Sequence, residues 1–355
     1  MGRCNGWEKP KEDGLKIFTL DGAEPRRRSL VTGGVAGLAA TALPAFGAAA
    51  RASAGGLEPI PTRQLGAITG NDLASMDRWA RWLGRTQDHD LLAFDQRDWR
   101  QLDMSIDFIA TLGSRVIGHR RKVQWSVPVG GWSAYDSVVS GQQDAVYDRM
   151  ARAILAAYRD DATSRICIRL PWEFNMPDQT QAAKTVFGVW DGRLYIHAYR
   201  RIADIFRKVS PRFYFDWCPN VGQGEVDPEL CYPGDDVVDV ISVDIYYRKQ
   251  YDDQGKTDAG TSIFYYRKGQ PRGLDWLDKF SVAHRKLVGV SEWGVDSNSA
   301  VMFTEMLIGW MKGLGPRLSH QNYWDRNDGG VIARISDGSL PAIGGAYRQA
   351  WGKVS

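Results

Sequence analysis

The sequence is poor in the groups that redox and metal chemistry draw on. Only four cysteines occur in 355 residues, Cys4, Cys167, Cys218 and Cys231, with no CxxC pair among them. The five histidines, His89, His119, His197, His284 and His320, are scattered and form neither HExxH nor HxH. Zinc, iron–sulfur and thiol-redox sites need such ligands close together, so no metal and no cofactor is expected. No GxGxxG follows the first candidate strand, which removes the dinucleotide fingerprint of a doubly wound sheet. Cys218 and Cys231 are close enough in sequence to close a short disulfide loop in an oxidising compartment; the alternative is three buried thiols.

An excess of one charge is also missing once the first segment is set aside. The formal net charge is +3, and residues 1–54 carry all of it, with eight Lys/Arg against five Asp/Glu. The remaining residues hold 37 of each sign. A nucleic-acid partner, which would call for a basic face, is therefore not expected. Within the first segment, Arg26-Arg27-Arg28-Ser29-Leu30 precedes an uncharged run from Leu30 to Ala50 rich in Gly and Ala, and Ala52-Ser53-Ala54 offers a small-x-small cleavage site. This resembles a bacterial twin-arginine export signal. It implies a removable leader over 1–54 and a mature domain over 55–355, periplasmic or extracellular. The 21-residue run could span a bilayer as an anchor, but its small residues and the cleavage site favour removal. No stable membrane association is expected afterwards.

What is present is a regular alternation. Short apolar runs bounded by turn residues fall at Leu65–Thr69, Leu91–Phe94, Val123–Val127, Ile166–Leu170, Phe213–Trp217, Val238–Asp244, Leu287–Glu292 and Leu318–Trp324. Between them lie helical patterns such as Asp144–Tyr158, with Val146, Met150, Ile154, Leu155 and Tyr158 spaced by threes and fours. The other helices are expected at Ala74–Leu83, Leu102–Leu112, Tyr195–Val209, Leu274–Arg285, Val301–Gly313 and near Ala346–Trp351. Eight buried strands alternating with helices predict a single (β/α)8 TIM barrel of the α/β class. Residues 248–273, rich in Gly, Asp, Lys and Tyr, read as a long loop over the active-site face.

Barrels of this kind carry their chemistry at the C-terminal ends of the strands. That filter reduces 42 carboxylates to a few: Glu173 after the fourth strand, Glu292 at the end of the seventh, Asp244 on the sixth, Asp95 after the second and Asp325 after the eighth. Two glutamates three strands apart can face each other across the barrel mouth. Hydrolysis of a glycosidic bond needs such a pair, an acid for the leaving oxygen and a carboxylate for the oxocarbenium-like centre. The neighbouring Trp172 and Trp293 would exclude water and raise the pKa of a carboxylic acid.

Four segments in order resemble glycoside hydrolase family 26, whose best-known members are endo-β-mannanases. They are Arg169–Asn175, Phe215–Asn220 (FDWCPN), Tyr232-Pro233-Gly234 leading to Asp244-Ile245-Tyr246, and Ser291-Glu292-Trp293-Gly294, over roughly residues 60–350. The resemblance implies Glu173 as acid/base and Glu292 as nucleophile of a retaining enzyme, with carboxyl groups ~5–5.5 Å apart. It further implies that Tyr246 hydrogen-bonds and orients Glu292, and that Arg169 supports the carboxylates. Asn175 would contact substrate, and Trp217 and Trp324 would stack on sugar rings. Trp172 and Trp293 flank the pair, and Trp132, in Gly130-Gly131-Trp132-Ser133 after the third strand, is a further platform candidate. Trp172 stands where family mannanases usually carry His, which points to a polysaccharide or oligosaccharide other than plain mannan. A non-catalytic carbohydrate-binding barrel and a transglycosylase using the same glutamates are the alternatives.

Overall fold

The computed structural model describes residues 56–130, 135–176, 192–224, 226–255, 257–328 and 330–353. Eight strands close a barrel in sequence order, every neighbouring pair parallel. They are β1 (Gln64–Ile68), β2 (His89–Ala93), β3 (Lys122–Ser126), β4 (Ile166–Arg169), β5 (Phe213–Trp217), β6 (Val240–Tyr247), β7 (Leu287–Val295) and β8 (Leu318–Trp324). β1 closes on β8, with Gln64 opposite His320 and Ile68 opposite Trp324. The predicted (β/α)8 barrel is thus the observed fold, and each of the eight predicted strands overlaps an observed one.

The helices are α1 (Leu73–Leu83), α2 (Trp99–Gly118), α3 (Tyr135–Val139), α4 (Asp144–Ala157), α5 (Gly192–Val209), α6 (Lys249–Asp252), α7 (Thr261–Gly269), α8 (Leu274–Ala283), α9 (Val301–Gly313) and α10 (Pro341–Trp351). Local chemistry sets their ends. Asp72 caps α1 by accepting from the Ser75 amide at 2.7 Å, and Gly84 ends it in the left-handed region at φ 78°. Met76, Trp79 and Leu83, spaced by three and four, form its buried stripe. Segment 248–273 is not the structureless loop expected from its composition, because it contains α6 and α7. The Asp258 carboxylate accepts from the amides of Gly260 and Ser262, which starts α7. Only Ile263 and Phe264 are buried there, Phe264 against Phe303 of α9, so the apolar signal was too short to see.

Strand alternation sorts the barrel residues into two populations. Outward residues are large and apolar. Trp125 lies against Gly113 of α2, and Trp217 packs on Trp276 and Phe280 of α8. Inward residues are polar and bond across the lumen. Gln124 of β3 donates to Asp216 of β5 at 2.9 Å, Ser291 of β7 donates to Asp216 at 2.5 Å, and His320 of β8 shares a 2.8 Å hydrogen bond with Ser291. Since β3, β5 and β7 are not neighbours, these bonds must span the interior. Burial alone would raise Asp216, but the His320 ring and the hydroxyls of Ser242 and Ser291 overcome it and hold this carboxylate below its usual range. His89 is pushed down to about 3 by burial and by His320, so it sits neutral beside Asn322 at 2.6 Å. The three cysteines of the barrel, Cys167, Cys218 and Cys231, are all buried thiols, so the Cys218–Cys231 disulfide is not formed.

Gly66 on β1 makes this polar layer possible. A Cβ there would fall 2.0 Å from the Asn322 side-chain oxygen and 2.3 Å from His89 Nε2. Both neighbours are locked in the network and cannot swing aside without losing buried hydrogen bonds. Gly66→Ala should therefore cost roughly 2–5 kcal/mol, overpacking added to an unsatisfied polar pair. Urea unfolding would show this as a lower midpoint at unchanged slope; an unchanged midpoint would mean that the layer is not rigid.

Candidate active site

The C-terminal ends of β4, β5, β6 and β7 supply one contiguous cluster. Arg169, the last residue of β4, is fully buried. Its Nη1 donates to Oε1 of Glu292 at 2.6 Å, and its Nη2 pairs with Oδ2 of Asp244. Tyr246 donates its hydroxyl to the other oxygen of Glu292 at 2.7 Å. Burial and the Glu292 charge push the Tyr246 phenol upward, so it stays a donor. The Cys218 thiol, just past β5, donates to Oδ1 of Asp244 at 3.1 Å. Both oxygens of Glu292 and both of Asp244 are thereby engaged.

A β-bulge puts Glu292 there. Val243 pairs with Val290, but the next residue, Asp244, pairs with Glu292, leaving Ser291 as an extra residue in β7. Strict alternation would send one of Ser291 and Glu292 outward. The bulge lets both face the lumen, Ser291 in the polar layer below and Glu292 in the layer above. Trp293 then points outward, against Tyr323 and Tyr347.

Glu173 arrives by a second irregularity. It follows β4 with φ at 51°, a left-handed conformation that non-glycine residues adopt at a cost. Its amide donates to the Cys218 carbonyl at 2.8 Å and its carbonyl accepts from Met176 at 3.0 Å, so the strained turn is tied on both sides. Oε1 of its side chain accepts from Asn220 Nδ2 at 2.7 Å. Burial, and then the nearby Glu292 charge, pushes its pKa up to about 7 against the pull of Asn220, Arg169 and Arg248. The two carboxyls thus lie within each other's field, in unlike surroundings. One is saturated with donors, and the other is protonated for much of the time near neutral pH.

The remaining expected site residues divide. Trp172 and Trp324 are half-buried at the rim. The Arg169 guanidinium lies 4.8 Å from the Trp172 ring centroid, and Trp324 stands edge-on to Tyr246 at 6.2 Å. Trp217 and Trp293 do not reach the mouth. Both are 0% exposed and face the surrounding helices, because they occupy outward positions of their strands. Neither can serve as a sugar platform. Asn175 also makes no surface contact. It is fully buried, with its amide spent on the backbone of Asn220 and Gly222. Trp132 lies outside the described residues. Asp325 accepts from the Ile335 and Ser336 amides and anchors the loop after β8, and Asp95 is paired with Arg97.

Sequence reasoning missed Asn220 as a partner of Glu173, although it ends the FDWCPN segment just past β5. It also left Asp244 and Cys218 without roles; their signal was inward register, Asp244 two residues after Ser242 and Cys218 two after Asp216, both of which bond across the lumen. Among the described residues no group of three or more His, Cys, Asp or Glu is placed to hold a metal ion.

No protein-family model matches the sequence, and no curated protein sequence matches it. Solved structures do. The catalytic domain of a Bacillus sp. JAMB-750 GH26 endo-β-1,4-mannanase superposes with a TM-score of 0.60 at 13% identity, covering 82% of this chain and 87% of that one. A modular endo-β-1,4-mannanase of glycoside hydrolase family 26 from Cellulomonas fimi gives 0.61 at 16%, covering 81% and 70%. A GH26 β-mannanase from Bacteroides ovatus gives 0.55 at 14%, covering 81% and 88%. At these identities the likeness is one of fold, and the chain has the (β/α)8 barrel of these glycoside hydrolase family 26 structures.

Proposed function

We propose that this protein is a retaining glycoside hydrolase in which Glu173 is the acid/base and Glu292 the nucleophile. The observation that carries the proposal is the asymmetry of the two carboxyls at the ends of β4 and β7. Glu292, fixed by Arg169 and Tyr246, is aimed as a carboxylate. Glu173, raised to about 7, holds a proton that it can give up and take back. In the first step Glu292 bonds to the anomeric carbon as that carbon's bond to the leaving oxygen breaks, and Glu173 protonates the oxygen. In the second, Glu173 takes a proton from water, the water oxygen bonds to the anomeric carbon, and the Glu292 ester bond breaks. Trp172 and Trp324 are the rim surfaces suited to sugar faces.

The fold neighbours named as endo-β-1,4-mannanases support a polysaccharide substrate. Trp172 at the position of the family's usual His favours a polymer other than plain mannan. The twin-arginine-like leader supports action outside the cytoplasm of a bacterial cell.

Glu292→Ala should abolish turnover while retaining sugar binding, and azide or formate should restore part of the activity with inverted product. Glu173→Ala should slow cleavage of unactivated substrates about 10²–10⁴-fold, roughly 3–5 kcal/mol of barrier, and activated aryl glycosides much less. Parental rates for both variants in a reducing-end or aryl glycoside assay would end the proposal. Trp324→Ala should raise KM by about threefold to tenfold, in line with ~0.5–1.5 kcal/mol for an aromatic contact, and Trp324→Phe should restore most of it.

The pH dependence follows from Glu173. Its acid form dominates below about 7 and falls tenfold per pH unit above, so the basic limb of kcat/KM should lie near 7. Activated aryl glycosides, which need no proton, should flatten that limb in the glycosylation step. The same shift carries a stability signature. The unfolded side chain ionises near 4.5 and the folded one near 7, so its stabilising contribution is complete below 4.5 and is lost as pH rises through 7. Glu173→Gln does not titrate, so its urea midpoint relative to the parent should rise between pH 4 and pH 8. A pH-independent difference would contradict the raised pKa.

A further inference from the structure

The turn after β5 is bonded to both of its neighbours. On the β4 side, Asn175 Oδ1 accepts from the Asn220 amide at 2.8 Å, and Asn175 Nδ2 donates to the carbonyls of Asn220 and Gly222, each at 3.0 Å. On the β6 side, Val221 donates to the Asp244 carbonyl at 2.9 Å and Asp244 donates to the Pro219 carbonyl at 3.1 Å. The loop also sits flush on Asn175, since a Cβ at Gly224 would come 2.2 Å from the Asn175 carbonyl oxygen. The Asn220 backbone is therefore held from both the β4 and the β6 sides. From this fixed base its Nδ2 reaches Oε1 of Glu173.

We propose that Asn220, clamped by Asn175, is a positioning residue that reserves Oε1 of Glu173 as an acceptor and so makes Oε2 the oxygen that carries and delivers the proton. This rests on the reading of Glu173 as the acid/base. An amide nitrogen can only donate, so a proton on Oε1 would clash with it and is directed to Oε2. The leaving oxygen must then approach from the Oε2 side, and the returning water must be deprotonated by that same atom. The left-handed backbone at Glu173 orients the carboxyl, and Asn220 selects between its two oxygens.

The groups facing Glu173 are Glu292 of β7, Arg169 of β4, Arg248 just after β6, and Asp244 and Tyr246 on β6. Burial, and then Glu292, favour the neutral acid, and Asn220, Arg169 and Arg248 favour the anion. Removing the Asn220 donor leaves the first pair less opposed. In Asn220→Asp the donor becomes a second carboxylate of the same shape, which opposes ionisation outright.

The test is a direct titration of the full chain that needs no substrate. Protein labelled with 13C in the glutamate carboxyls is followed by NMR from pH 4 to 10, and Glu173→Gln identifies the Glu173 resonance. The parental resonance is expected to titrate near 7, with Asn220→Ala higher by about one pH unit and Asn220→Asp higher still. On aryl glycosides, Asn220→Ala should lose about tenfold or more with poor leaving groups and little with good ones. Asn175→Ala should reproduce both effects in weaker form. A Glu173 resonance that titrates at the same pH in the parent, Asn220→Ala and Asn220→Asp would overturn the proposal; so would a rate loss independent of leaving group. Because the titration requires no turnover, it can succeed even if the glutamate variants disprove hydrolysis. It can equally fail while they support hydrolysis.

Discussion

A guanidinium removed from water is stable only beside negative charge with good hydrogen-bond geometry, and in this barrel that requirement organises the whole mouth. Arg169 has no exposure to solvent and two carboxylate partners, Asp244 on β6 and Glu292 on β7. Three strands are thereby tied at their C-terminal ends. If Arg169 were removed, two acids would be left facing each other in a poorly solvated layer, with Glu173 close by as a third. Its presence fixes the orientation of Glu292. Burial, with more carboxyls than the one cation can balance, pushes both Asp244 and Glu173 above the usual carboxylate range, and of the two Glu173 has fewer donors.

Both glutamates reach their places by breaking a local rule. Glu292 needs a bulge, and Glu173 needs a left-handed backbone. Neither feature adds to the barrel's own stability; the register shift disturbs the ladder, and positive φ costs a non-glycine residue. Conflicts of this type between local preference and global structure are what a functional site is expected to show. They also share their supports. The Cys218 carbonyl receives the Glu173 amide while its thiol bonds to Asp244, so one residue past β5 steadies both halves of the pair.

The strands and most helices could be read from the sequence because apolar runs and periodic stripes follow directly from burial. Segment α7 was hidden by having two buried side chains in a polar stretch. The glutamates themselves were found by asking which carboxylates stand at strand exits, a question of topology that needs no coordinates. Trp217 and Trp293 were misplaced for a different reason. Trp293 was set at the mouth by its adjacency to Glu292 and Trp217 by the resemblance of its segment, whereas adjacent strand residues point in opposite directions. Trp217 follows Asp216, which bonds across the lumen, and so must face outward. A strict period-two reading would have placed it in the shell. The same reading would have misplaced Glu292, since the bulge before it is invisible in Val290-Ser291-Glu292.

Asn175 marks the boundary of what motif resemblance conveys. An Asn two residues beyond the acid/base suggested a group that touches sugar, yet every polar atom of its side chain is turned to the neighbouring turn. Its contribution passes to Asn220, a half-buried residue whose side-chain amide donates to Glu173. A fully buried amide is suited to that duty. It is shielded from water, which would otherwise compete for the carbonyls of Asn220 and Gly222, and its planar fork holds donor and acceptor at fixed angles. The division of labour is therefore physical. The residue that holds the turn is buried, and the residue that reaches Glu173 is half-buried within that turn.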